Sequence, residues 1–192
     1  MKPAIANSNV NGNAFPATAY SWIAAHLCKI FILIIPGLLL IGCWTCGTAG
    51  LSRYFATQAF LTRSLVLADK AIRLSPTDPA GHYVRGLLLT DRGVLQEATY
   101  ELERAVKLSP NQFMFWQALG RSRSKGGDEV GAIAAYKEAI RLAPYYAQPR
   151  WELGTLLLKT GHREDALVEL RRAAESDSAF VEPLNEIQKA LN

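Results

Sequence analysis

Lys70-Ala-Ile-Arg-Leu-Ser-Pro76 returns as Arg104-Ala-Val-Lys-Leu-Ser-Pro110 and again as Glu138-Ala-Ile-Arg-Leu-Ala-Pro144. The closing prolines, Pro76, Pro110 and Pro144, are evenly spaced. A decayed copy, Arg172-Ala-Ala-Glu-Ser-Asp-Ser178, follows at the same interval with serine in place of proline. A fixed period of about 34 residues marks a stack of helical units, none of which can bury its apolar face alone. The fold class it predicts is all-α.

Working outward from the prolines gives three full units, 79–112, 113–146 and 147–180. Gly86, Gly120 and Gly154 recur where two helices of a unit must approach closely, and Ala98, Ala132 and Ala166 recur on the facing helix. Gly93, Gly127 and Gly161 fall at the turn, where a left-handed backbone suits glycine. Leu102, Tyr136 and Leu170 fill a larger slot, and Ala105, Ala139 and Ala173 face the next unit. Each second helix ends just before Pro76, Pro110 or Pro144. Trp116 and Leu119 open the second unit; His82 and Arg150 stand in place of that tryptophan in the other two, with Trp151 one residue late.

These residues resemble the tetratricopeptide repeat, a helix–turn–helix unit of the same length, over about 51–180. Arg123 departs from its usual tyrosine. The resemblance implies a solenoid whose first helices line a concave groove, where segments of partner proteins bind. The groove-facing positions would be Tyr83, Leu87 and Thr90 in the first unit and Gln117, Arg121, Ser124 and Lys125 in the second. Trp151, Thr155, Leu158 and Lys159 would follow in the third. That is an aromatic and apolar floor with a basic centre, and an acidic side chain or a C-terminal carboxylate would suit Arg121, Lys125 and Lys159. The chaperone-binding subset of the family uses lysines and asparagines; the groove positions carry no asparagine, so that ligand is not expected.

Residues 52–75 read as one helix, with Phe55, Ala59, Phe60, Leu67, Ala68, Ala71, Ile72 and Leu74 at helical spacing. On this reading 52–78 is a linker helix and half-repeat that leads out of a bilayer and fixes where the groove stands relative to it. At the other end, 181–192 reads as a capping helix. Val181, Leu184, Ile187 and Leu191 share its apolar face, and Glu182, Glu186 and Lys189 face water.

Positions 1–29 are mostly small and polar and predict a flexible tail. From Ile30 to Leu51 no residue is charged, and ten of the first twelve are Ile, Leu or Phe. A span of about 20 apolar residues crosses a bilayer core, so 30–51 is expected to be a transmembrane helix or signal-anchor, with Pro36-Gly37 as a kink. A second reading is open. Leu40-Ile-Gly-Cys43 resembles the bacterial lipobox, which would make Cys43 a lipidated N-terminus. A third uses Cys43-Trp-Thr-Cys46 as a redox pair, although no second ligand pair and no thioredoxin-like pattern accompanies it. The location implied is a membrane, in the bacterial cell envelope. Lys29 lies on one side of the span and Arg53 and Arg63 on the other, so charge leaves open which side carries the repeats.

All seventeen acidic residues lie at Asp69 or later, against nineteen of the lysines and arginines after residue 50, a net of +2 for the repeat region. This near balance argues against a nucleic-acid partner, which needs cations gathered on one face. His26, His82 and His162 are isolated in the sequence, and no phosphate-cradling loop or catalytic acid pair stands out. No catalytic residue, metal, cofactor or small-molecule substrate is expected. The function these features predict is a membrane-tethered, non-enzymatic adaptor that supports assembly of a membrane or envelope complex.

Overall fold

The computed structural model describes residues 47–191, and every regular element among them is helical. Helix α1 runs through 47–62, followed by α2 (Leu65–Leu74), α3 (Pro79–Asp91), α4 (Leu95–Leu108), α5 (Phe113–Lys125) and α6 (Glu129–Leu142). Then come α7 (Ala147–Lys159), α8 (Arg163–Ser176), one 3-10 turn (Ser178–Phe180) and α9 (Val181–Leu191). Consecutive helices pair as hairpins, and α3 also packs on α5 and α5 on α7. Helices α3, α5 and α7 therefore form the inner row of the array, and α2, α4, α6 and α8 the outer row. Among the described residues no helix is long and apolar enough to cross a membrane. The bilayer segment expected at 30–51 lies outside the described residues up to Cys46, as do Cys43 and Cys46 themselves; residues 47–51 are continuous with α1.

The period has a steric cause. A Cβ built on Gly86 would stand 2.5 Å from Leu102 Cγ, one on Gly120 2.7 Å from the Tyr136 ring, and one on Gly154 2.6 Å from Leu170 Cγ. Each large side chain of an outer helix fills the space its partner's glycine leaves, and Ala98, Ala132 and Ala166 beside them are fully buried. The turns close through Gly93, Gly127 and Gly161 at φ 79°, 84° and 84°, a conformation that penalises a side chain.

The first hairpin is built differently, and here the expectation of one helix over 52–75 is corrected. The chain breaks at Arg63, which takes φ 53° without being glycine. Its carbonyl accepts from Arg92 Nη2 at 3.1 Å, and its guanidinium pairs with Asp91, so contacts with the end of α3 hold the turn. Small residues let α1 and α2 approach: Ala56, Ala59, Ala68 and Ala71 are at most 2% exposed, and buried Ser52 donates its Oγ–H to the Ala71 carbonyl at 3.0 Å. The described part of the stretch is thus a pair of helices, and the expectation of one continuous helix leading to the groove does not survive the break.

The opening slot of each unit ties an inner helix to the preceding turn. Trp116 Nε1–H donates to the Pro110 carbonyl at 2.7 Å. His82 Nε2 meets the Pro76 carbonyl at 3.1 Å, and Arg150 donates to the Pro144 carbonyl through Nη2 at 3.2 Å and Nε at 3.3 Å. Three different side chains supply an N–H to the same carbonyl, which closes the turn between units. His82 is therefore not isolated. Its Nδ1 also lies 2.6 Å from Glu101 Oε2, a buried pair extended by half-buried Arg85, which donates to Glu101 at 2.8 Å and to Asp69 at 2.8 Å. Burial pushes the Glu101 carboxyl up, but the hydrogen bonds and charges of His82 and Arg85 outweigh it and hold it below the usual carboxylate range.

Candidate groove on the inner face

The inner face is carried by α3, α5 and α7, and its two halves differ in chemistry. In the first half Tyr83 and Leu87 are half-buried against the cluster of Leu102, Phe115 and Leu119, and the Tyr83 and Phe115 rings stand 4.8 Å apart. Burial pushes the Tyr83 hydroxyl above its ordinary range; Arg121 works against that shift, and nearby Tyr146 adds to it. Met114 is exposed, and half-exposed Tyr146 meets Phe113 edge-on at 4.9 Å. This half offers an apolar, aromatic surface to an incoming chain.

In the second half the charges are already paired. Arg121 donates to Glu152 Oε1 at 2.5 Å, and Gln148 donates to the same oxygen at 3.1 Å. Burial pulls the Arg121 guanidinium down, yet Glu152 more than compensates and keeps it above its usual value. The Tyr136 hydroxyl is raised well out of its ordinary range by burial and by Glu152. Lys159 lies 3.4 Å from Glu129. Arg121, Ser124, Thr155 and Lys159 share a shallow cleft of about 350 Å³ with Tyr136, Glu152 and Leu156.

Of the residues expected to face the groove, the fold brings Arg121, Ser124, Thr155 and Lys159 together and keeps Tyr83, Leu87 and Lys125 open. Lys125 is exposed, with no carboxylate partner among the described residues. Two expectations are corrected. Thr90 is 3% exposed and spends its hydroxyl on the Gly86 carbonyl at 2.8 Å. Gln117 is 9% exposed. Trp151 is half-buried, with the Phe180 ring stacked on it at 4.8 Å. Leu158 is half-buried against the third unit's core. Arg121 is not a free cation waiting for an acidic ligand. The sequence pattern does not mark Glu152, Phe115 or Phe180 as groove residues, and it marks Tyr136 only as a packing residue. The one signal for Glu152 was an acid lying just under one period beyond Arg121. Among the described residues no group of three or more His, Cys, Asp or Glu side chains could hold a metal ion.

No protein-family model matches the chain. Part of it is similar to curated proteins. It is 31% identical over 107 residues to the human protein O-mannosyl-transferase TMTC1, a match over 54% of this chain and 12% of that protein. It is 36% identical over 88 residues to a TPR repeat-containing protein of Pseudomonas aeruginosa, covering 46% and 36%. It is 28% identical over 96 residues to the peroxisomal targeting signal receptor of Saccharomyces cerevisiae, covering 50% and 16%. The chain thus spans between about a tenth and a third of the length of these relatives. Among solved structures, MamA superposes with a TM-score of 0.60 at 20% identity over 72% of this chain and 81% of that one, a likeness of fold. Together these findings support an all-α repeat solenoid, similar in part to tetratricopeptide-repeat proteins.

Proposed function

We propose that this chain is a non-enzymatic adaptor that binds a segment of a partner protein along its inner face. The observation that carries the reading is the uncovered surface of Tyr83 and Leu87 beside Phe115, with Lys125 exposed on the next inner helix. An aromatic or aliphatic residue of the segment seats on Tyr83 and Leu87, where desolvated aromatic contacts give most energy per residue. A carboxylate of the same segment meets Lys125 rather than Arg121 or Lys159, which Glu152 and Glu129 already hold. The partial likeness to a targeting signal receptor supports a scaffold that reads peptide segments. The transferase relative is matched over too little of its length to carry its chemistry here. The test is full-length protein panned against displayed random peptides. Leu87→Asp is expected to weaken the selected peptides by more than about tenfold while the helical circular-dichroism signal is kept at the binding temperature, although loss of its contact with the core lowers the melting point. Binding that survives Leu87→Asp contradicts the reading.

The uncharged run from Ile30 to Leu51 supports tethering of the array to a membrane, in a bacterial envelope. A tether raises the local concentration of the array near membrane partners, so a weak peptide affinity suffices for assembly of a complex there. Leu40-Ile-Gly-Cys43 favours a second form of that tether, a lipid on Cys43. The mass of the mature N-terminus separates the two: an intact Met1 contradicts lipidation, and a diacylated Cys43 contradicts the uncleaved helix.

A further inference from the structure

The outer row of helices is not uniform. On α2, Val66, Lys70 and Arg73 stand at i, i+4 and i+7, and on α4 Tyr100, Arg104 and Lys107 repeat that spacing one period later. The spacing puts each triplet on one helix face, and all six side chains are exposed, Val66 at 71% and Tyr100 at 58%. Every acid of these two helices is turned to an inner helix. Asp69 and Glu101 bind Arg85, Glu97 lies 3.6 Å from it, and Glu103 binds Arg123. The four outward cations have no carboxylate partner among the described residues; Lys70 lies 4.1 Å over the Phe55 ring and is still exposed. A charge balance that looks even along the sequence is segregated by the fold.

Helix-dipole compensation explains a cation in the last turn, as for Arg73 and Lys107. It does not explain Lys70 and Arg104 one turn earlier, nor the bare apolar residue ahead of each pair. The same positions on α6 and α8 lack the pattern: Glu138 neutralises Arg141 at 2.6 Å, and Arg172 pairs with Glu169 at 3.4 Å. The ridge therefore belongs to the first half of the array, the half that follows the uncharged run 30–51 in sequence.

We infer that the outer face of α2 and α4 docks on an anionic lipid surface, with the four cations at the headgroups and Val66 and Tyr100 at the apolar boundary. An outward-facing ridge cannot wrap a peptide, whereas it can rest on a plane. Cations at such a surface each add to binding and are screened by salt, and exposed tyrosine suits the headgroup level.

The test reads contact rather than total binding, so that anchoring by the N-terminal segment does not mask it. Full-length protein is mixed with vesicles of phosphatidylcholine alone or with roughly one third phosphatidylglycerol, and lysine acetylation is followed by mass spectrometry. Lys70 and Lys107 are expected to react about fivefold more slowly on the anionic vesicles, with the protection lost in about 0.5 M salt. Lys125 and Lys159 on the inner face are expected to keep their rates, and Arg73→Gln/Arg104→Gln is expected to remove the protection. Equal rates on both vesicles overturn the proposal. Equal protection of all four lysines overturns its assignment to the ridge. Protection by soluble poly-glutamate or duplex DNA, with none on vesicles, replaces the lipid with another polyanion and overturns it as well.

Discussion

In the middle unit the opening slot holds Trp116, and the facing place on the outer helix holds fully buried Ala135; in the units on either side the same two places hold His82 with Glu101 and Arg150 with Glu169. The large indole leaves room only for alanine, and the pair packs in an apolar cluster with Val106 and Phe115. The smaller or charged side chains are each met by a glutamate, at 2.6 Å for His82 and 2.8 Å for Arg150. In all three the N–H to the proline carbonyl is kept. The units preserve a hydrogen bond and a filled volume, not a residue type. A position that breaks a repeat's consensus is therefore to be judged together with the position that faces it.

The comparison can be broken most severely at Glu101. Glu101→Leu leaves buried His82 without its carboxylate, while half-buried Arg85 keeps Asp69, and it is expected to lower stability by about 3 kcal/mol in urea denaturation, the lower end of the cost of breaking a buried pair. Glu169→Leu is expected to cost less, because Arg150 keeps two bonds to Pro144. A loss under about 1 kcal/mol for Glu101→Leu would mean that the buried pair is not a pair in solution.

A smaller effect sharpens the same point. His82→Trp with Glu101→Ala imports the middle unit's solution into the first. Each single change is expected to destabilise, and the double variant to recover about 1–3 kcal/mol relative to their sum, as for residues in contact. Strict additivity would show that the two positions do not compensate. The pH profile comes next. Glu101 has a folded value below its unfolded one, so its contribution is complete above the ordinary carboxylate range. It is lost as acid takes the pH down through the lowered folded value. The acid limb of the stability curve is expected to flatten in Glu101→Gln, and an unaltered limb would remove Glu101 from the account. Least of all, Lys125→Glu on the exposed inner edge is expected to change stability by no more than about 0.5 kcal/mol; a larger loss would show that Lys125 has a structural partner.

Much of the fold was legible in the residues that sterics leaves no choice about. Only glycine fits against Leu102, Tyr136 and Leu170, and only glycine makes the positive-φ turn without strain, so both recur once in every unit. The first hairpin hid from the same reading because it uses neither device: its turn residue is Arg63 and its close approach rests on Ser52 and four alanines. The opening slots hid because His, Trp and Arg share an N–H donor and nothing in composition. For the groove, periodicity selected the inner helices but not the contacts across units. It could not show that Glu152 of α7 holds Arg121 of α5, or that Phe180 from beyond α8 stacks on Trp151. Sequence also could not show which charges turn inward, and that choice makes the outer face of α2 and α4 cationic.

The central claim, that the inner face of the array holds a partner segment, is tested most directly by a photo-cross-linking residue at four positions of the full-length protein in its native cells. Positions Leu87 and Lys125 report on the inner face, and Tyr100 and Val130 on exposed outer positions. A discrete protein adduct from Leu87 and Lys125, absent from Val130 and lost in a Tyr83→Ala background, is the predicted result. The same adduct from Val130, or one indifferent to Tyr83, would contradict it.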